Sequence, residues 1–210
     1  SGMTVRGING LGINTSYPTG SEIRVTNSYT SASARIVQLG RDDYPASASS
    51  YPDSTRLEHL CINGRDRQVA GLTGVYSNAI QERSGVFDTT VIGCQRGIAV
   101  EAAANVTAKH FSIERTDVIH GKQANGTTAS TGNGMEIYSS AASISNCSVI
   151  NTATASNGGT AFVLRGSLIH LKDCHAEGFD YACDIGGPDS GIGKMRYSGH
   201  MRHIIRAIFV

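Results

Sequence analysis

The sequence has no tryptophan, only 4 prolines in 210 residues, and no run approaching 18 uninterrupted apolar residues. Without such a run no transmembrane helix is expected, and so no membrane insertion. No charged-then-apolar leader opens the chain, and Ser1-Gly2-Met3 reads as a cloning remnant ahead of a native or truncated start. An excess of one charge is missing too: 18 Lys and Arg against 17 Asp and Glu leave a formal +1. Proteins that bind nucleic acid by neutralising phosphates usually carry a clustered basic stripe, so nucleic acid is not the expected partner. Five cysteines, an odd number in a chain of this length, are too sparse for a disulfide framework. Helical periodicity is nearly absent, whereas glycine reaches 25 residues, which suits many tight turns between short strands.

What the chain does have is a repeated pattern. Leu57-Glu58-His59-Leu60-Cys61-Ile62 reads apolar, two others, apolar, one other, apolar. The pattern returns at Phe87–Ile92, Ala108–Ile113, Ile144–Val149, Leu171–Ala176 and Ile192–Tyr197. Starts are 30, 21, 36, 27 and 21 residues apart, which predicts a base period near 21 with extra residues added in bursts. Fixed strands with loops free to grow are the mark of a solenoid.

A second apolar pair at two-residue spacing follows four of these triplets: Ile98 and Val100, Met135 and Ile137, Phe162 and Leu164, Cys183 and Ile185. From Ile137 to Ile144, Leu164 to Leu171 and Ile185 to Ile192 the step is always 7, so that turn is expected to be constant and the other corner to carry the long loops. Loops are read at 41–55 and after Gly64, where Arg65, Asp66 and Arg67 cluster; the longest excursion runs from Arg115 to Gly134. Residues 4–54 read as two or three irregular lead-in coils and a loop, and 55–207 as regular coils, all in one domain. Cys147 and Cys174 fall at the same repeat position and read as stacked core residues.

The phrases "LEHLCING", "SGVFDTTVIGCQRGIAVE" and "ISNCSVINT...GGTAFVL" resemble the coils of right-handed parallel β-helix proteins of the pectate-lyase-like superfamily, in particular phage tailspike and capsule-depolymerase β-helices. The resemblance covers residues 55–207 well and 4–40 loosely, through coil pattern and without a catalytic signature. It implies an all-β, single-stranded right-handed parallel β-helix of about six regular coils plus irregular N-terminal ones. It further implies a homotrimeric virion tail appendage or other extracellular protein that binds, and in an active member hydrolyses, bacterial surface polysaccharide. The apolar ending "HMRHIIRAIFV" would leave an open edge of unpaired backbone, which suits an excerpt of a longer protein whose subunits cover one another.

In-register rungs about 4.8 Å apart place like positions in columns. On the triplet alignment the first column holds Glu58, Asp88, Lys109, Ser145, Lys172 and Gly193, and the second His59, Thr89, His110, Asn146, Asp173 and Lys194. A third holds Cys61, Val91, Ser112, Ser148, His175 and Arg196. Glycoside hydrolysis needs two carboxyls, roughly 5 Å apart for retention and 6.5 to 9.5 Å for inversion. Glu58 and Asp88 on adjacent rungs are the expected catalytic pair, with Asp173 as substitute; two carboxylates that close would raise one another's proton affinity. His59, His110, His175, Lys172, Lys194 and Arg196 are the expected substrate-binding residues. The same residues suit a polar wall meeting water, in a non-catalytic shaft or receptor-binding segment. A polysaccharide lyase is the second alternative, with Lys172, Lys194 and Arg196 neutralising a uronate. No three acids cluster on this ribbon to hold calcium, so neither a metal nor a cofactor is expected. With tryptophan missing, Tyr44 and Tyr51 are the tyrosines offered for sugar stacking.

Overall fold

A computed structural model describes residues 3–7, 20–26, 34–40, 54–64, 71–78, 82–101, 108–120, 132–151, 159–166, 169–186 and 196–198. Among these there are strands and turns and no helix. They are laid down in tiers of three. The first tier holds β1 (Thr4–Arg6), β2 (Glu22–Arg24) and β3 (Arg35–Leu39). The second holds β4 (Arg56–Glu58), β5 (Cys61–Asn63) and β6 (Thr73–Asn78), and the third β7 (Gly85–Phe87), β8 (Thr90–Ile92) and β9 (Arg96–Glu101). Then come β10 (Ala108–Glu114), β11 (Asp117–His120) and the first half of β12 (Met135–Ser145). The second half of β12 opens a fifth tier with β13 (Ser148–Asn151) and β14 (Thr160–Gly166). β15 (Ile169–Lys172), β16 (His175–Glu177) and β17 (Tyr181–Ile185) make the sixth, and β18 (Arg196–Ser198) begins a seventh.

Each strand pairs in parallel with its counterparts in the tiers before and after. First strands stack into face A, second strands into face B, third strands into face C. Faces C and A merge into one twelve-stranded sheet because β12 pairs β9 and β14 with its first half, β10 and β15 with its second. An all-parallel, helix-free stack of this kind is what a β-helix solenoid requires.

The stack is held by its inward columns. Leu57, Val86, Ile113, Ile144 and Leu171 point in from face A; Ile62, Val91, Val118 and Val149 from face B; Val75, Ile98, Met135 and Phe162 from face C. All are fully buried in one continuous cluster, each stabilising the fold by about 1.5 to 3 kcal/mol. The apolar pairs Ile98/Val100, Met135/Ile137 and Phe162/Leu164 stand in the expected register, and Cys183 and Ile185 continue it. Cys147 and Cys174 are buried in successive tiers with thiols bonded to backbone carbonyls, in keeping with core packing.

The register of face A corrects the triplet alignment. Leu57 pairs Val86 where Phe87 was expected, and Val86 pairs Ile113 where Ala108 was expected. Tier starts from Leu57 through Val86, Ile113, Ile144 and Leu171 to Tyr197 are therefore 29, 27, 31, 27 and 26 residues apart, a far steadier period than the expected one. Both slips arise because "VFDTTVI" and "AKHFSIE" offer apolar residues in two frames. A one-residue slip turns every side chain over, since strand side chains alternate. Phe87 accordingly faces outward, and the Arg56 guanidinium covers its ring at 4.1 Å from the centroid. The slip at β10 is five residues, so Asp117–His120, expected in a long excursion from Arg115 to Gly134, is strand β11 of face B. Among the described residues, lead-in strands β1, β2 and β3 pair β4, β5 and β6 and make up one tier.

The corners differ in kind. From the second tier to the sixth the chain turns from face A to face B in two residues, and the turning residues His59, Asp88, Arg115, Asn146 and Asp173 all have left-handed φ of 46° to 54°. Each of the first four donates its backbone N–H to a carbonyl of the next tier, which holds the column against the cost of that conformation. The variable stretches fall on both sides of face C: 64–72, 121–134 and 152–159 before it, and 40–55, 79–84, 102–107 and 186–195 after it. The step of 7 holds twice, but Ile185 to its partner column at Tyr197 is 12 residues.

Candidate functional site on the third face

The expected catalytic pair does not share a column. Glu58 pairs Phe87, while Asp88 sits one step on, in the left-handed corner with His59, Arg115, Asn146 and Asp173. Both carboxylates are engaged. Glu58 is buried although it points outward, because Arg6 donates to its Oε2 from Nε at 2.8 Å and Arg56 approaches its Oε1 at 2.7 Å. Asp88 accepts a two-pronged bond from Arg115, Nε to Oδ1 at 2.6 Å and Nη2 to Oδ2 at 2.8 Å. That bond holds its carboxyl below the usual range, which keeps it ionised.

The other expected residues scatter. Asp173 is exposed at the corner with Lys172 Nζ 3.9 Å away. His175 lies on face B, its Nε2 3.2 Å from Glu177 Oε2. His110 is not beside His59; it is the extra residue of a β-bulge in β10, on face A. Arg196 pairs His170 in β18, while Lys194, Tyr44, Tyr51 and Arg65, Asp66 and Arg67 lie outside the described residues.

Face C carries what the triplet analysis missed. Its outward positions are the residues between the buried pairs: Tyr76, Ala99, Glu136, Val163 and Asp184 in one column, with Asn78 beside Glu101 and Tyr138 beside Arg165 in the next. Arg96 ties this surface together. From Nε it donates to Glu136 Oε2 at 2.9 Å, and its Nη2 lies 2.5 Å from both Glu136 Oε2 and Glu101 Oε1. The two carboxylate oxygens therefore lie within twice that distance, about 5 Å, of each other. Tyr76 donates its hydroxyl to Glu101 Oε2 at 3.1 Å, Asn133 donates to Glu136 Oε1 at 2.8 Å, and the Arg35 guanidinium stacks 3.4 Å over the Tyr76 ring. Burial alone would lower the pKa of Arg96, but its bonds to Glu136 and Glu101 outweigh that and raise it, so the guanidinium stays charged. Further along, Arg165 donates to Asp184. Tyr138 and Tyr181 lie on the same face, 38% and 36% exposed, enough to offer a ring to a ligand. The signal was in the sequence: the residue inside each called pair had to point outward.

No protein-family model matches the chain, and neither a curated protein nor a solved structure matches it.

Proposed function

We propose that this chain is a segment of a right-handed parallel β-helix of the phage tailspike type, acting outside the cell as a homotrimer, and that it binds bacterial surface polysaccharide along face C. One observation carries the reading. The face flanked by the variable corners, where solenoids usually place their ligands, is also the face with paired acids, arginines and exposed tyrosines. Tyr138 and Tyr181 supply apolar rings for sugar faces, and Glu101, Tyr76, Asp184 and Arg165 supply the donors and acceptors for hydroxyls. Cleavage by this face would use Glu101 and Glu136, the two carboxylates that share Arg96 and lie close enough to act as a pair once substrate displaces it. Glu58 and Asp88 instead brace the wall.

A panel of capsular and O-antigen polysaccharides tests this through binding and reducing-sugar release. Glu101→Gln and Glu136→Gln should weaken binding by roughly tenfold and stop any release; Glu58→Gln should leave both as they were. Unchanged binding in both face C variants would overturn the assignment. Binding without release makes the chain an adhesin, and the absence of both a shaft.

A further inference from the structure

A concave surface lies on face A, apart from the ion-paired surface of face C. It is an open depression of about 320 Å³ lined by His110, Phe111, Ser112, Ala141, Ala142, Ser143 and His170. Its rim is built by register: Ser112, Ser143 and His170 occupy one outward column over three tiers. Its mouth is shaped by the bulge in β10, where pairing shifts on both sides of Lys109 and His110 is left over. His110 takes a φ of 55°, a left-handed conformation costing about 1 to 2 kcal/mol for a residue with a Cβ. Such bulges re-aim side chains, and backbone strain of this kind gathers at binding sites. Ala141, two residues before Ser143 on the same strand and in the same outward frame, adds only a methyl group to the lining, while Ala142 and Phe111 belong to the buried core beneath it.

The chemistry of the rim is equally specific. Among the described residues none of His110, Ser112, Ser143 and His170 spends its side chain on a protein hydrogen bond, whereas Arg6 and Glu58 on face A and Arg96, Glu101 and Glu136 on face C are paired with one another. Nor does the lining, among the described residues, contain Lys, Arg, Asp or Glu. Two imidazoles and two hydroxyls, spanning two rung spacings of about 10 Å, offer donors and acceptors to hydroxyl groups while offering nothing to a phosphate or carboxylate that a charged group would hold better.

We propose that this depression is a second saccharide subsite, which takes one or two neutral sugar units through hydrogen bonds to His110, Ser112, Ser143 and His170. This rests on the reading of the chain as a polysaccharide binder, but not on face C being the place of binding. A long polymer would thereby meet the wall at two faces, and the avidity gained would raise attachment without a new strong contact.

The test follows the imidazole ring protons of His110 and His170 by NMR while neutral and uronate-containing oligosaccharides from capsular and O-antigen polymers are added to the intact chain. Saturable shifts with a neutral oligosaccharide, persisting in Glu136→Gln, are the expected result. His110→Ala with His170→Ala should weaken that binding roughly tenfold, and Ser112→Ala with Ser143→Ala, which keeps both probes and the bulge, should do the same. Oligosaccharides that bind the chain while leaving both rings unshifted would overturn the subsite and leave face C standing. Shifts that appear only with uronate-containing sugars would overturn the neutral-ligand assignment. If no oligosaccharide binds at all, the polysaccharide reading falls and the subsite with it.

Discussion

His120 lies at the inner end of β11, fully buried, with its ring edge-on to Phe179 at 5.3 Å between centroids. Burial disfavours the imidazolium and pushes its pKa down to about 4, against a small opposing pull from a backbone bond with Asn133. The unfolded chain, with an ordinary histidine near 6.5, binds the proton more readily, so stability is complete above that pH and falls as pH drops towards about 4. Urea unfolding at pH 7 and at pH 4.5 should show a loss on the order of 3 kcal/mol at most, and His120→Gln should remove most of that pH dependence. An equal loss in the variant would show that another group is responsible. Asp88 works in the opposite range. Its carboxyl is held low by Arg115, so its contribution is present above about 3.9 and disappears only as pH falls further. Because Arg115 is more than half exposed, Asp88→Asn should cost under about 1 kcal/mol at pH 7, read by urea unfolding.

At the scale of elements, corners and glycines set the geometry that the strands then fill. Gly97 begins the buried part of β9 at a point where a Cβ would lie 2.3 Å from Val118 Cγ1 and 2.5 Å from the carbonyl oxygen of Gly134. Face B valines thus reach the backbone of face C, as Val91 and Val149 also do at Gly74 and Gly134. Gly97→Ala should therefore destabilise by about 1 to 3 kcal/mol through overpacking, measured as a lower urea midpoint with an unchanged slope. A neutral outcome would mean that the faces sit farther apart than this. The third-face pairs were legible in the sequence because Ile98-Ala99-Val100 and Met135-Glu136-Ile137 allow only one alternating frame. The first-face register was not, because adjacent Val86-Phe87 and the odd spacing of Ala108 to Phe111 and Ile113 allow two. What decided between them was partner fit: Gly85 leaves room for the Ser112 carbonyl oxygen, 2.1 Å from where a Cβ would stand. Columns that depended on that frame, Glu58 with Asp88 among them, moved with it.

For the molecule as a whole, sedimentation equilibrium should give three times the 22.1 kDa chain mass if the appendage reading holds, and a single-chain mass would remove the trimer from it. The sequence by itself determined that this chain is all-β, that its strands recur in stacked tiers, and which residues fill the interior of the third face. Those features are local: alternation, turn residues and spacing are written into each segment. Only the tertiary structure decided which outward residues become neighbours. Arg96, Glu101 and Glu136 come from two tiers, and Ser112, Ser143 and His170 from three, so their meeting depends on inter-strand register, and register is settled by how whole tiers pack on one another.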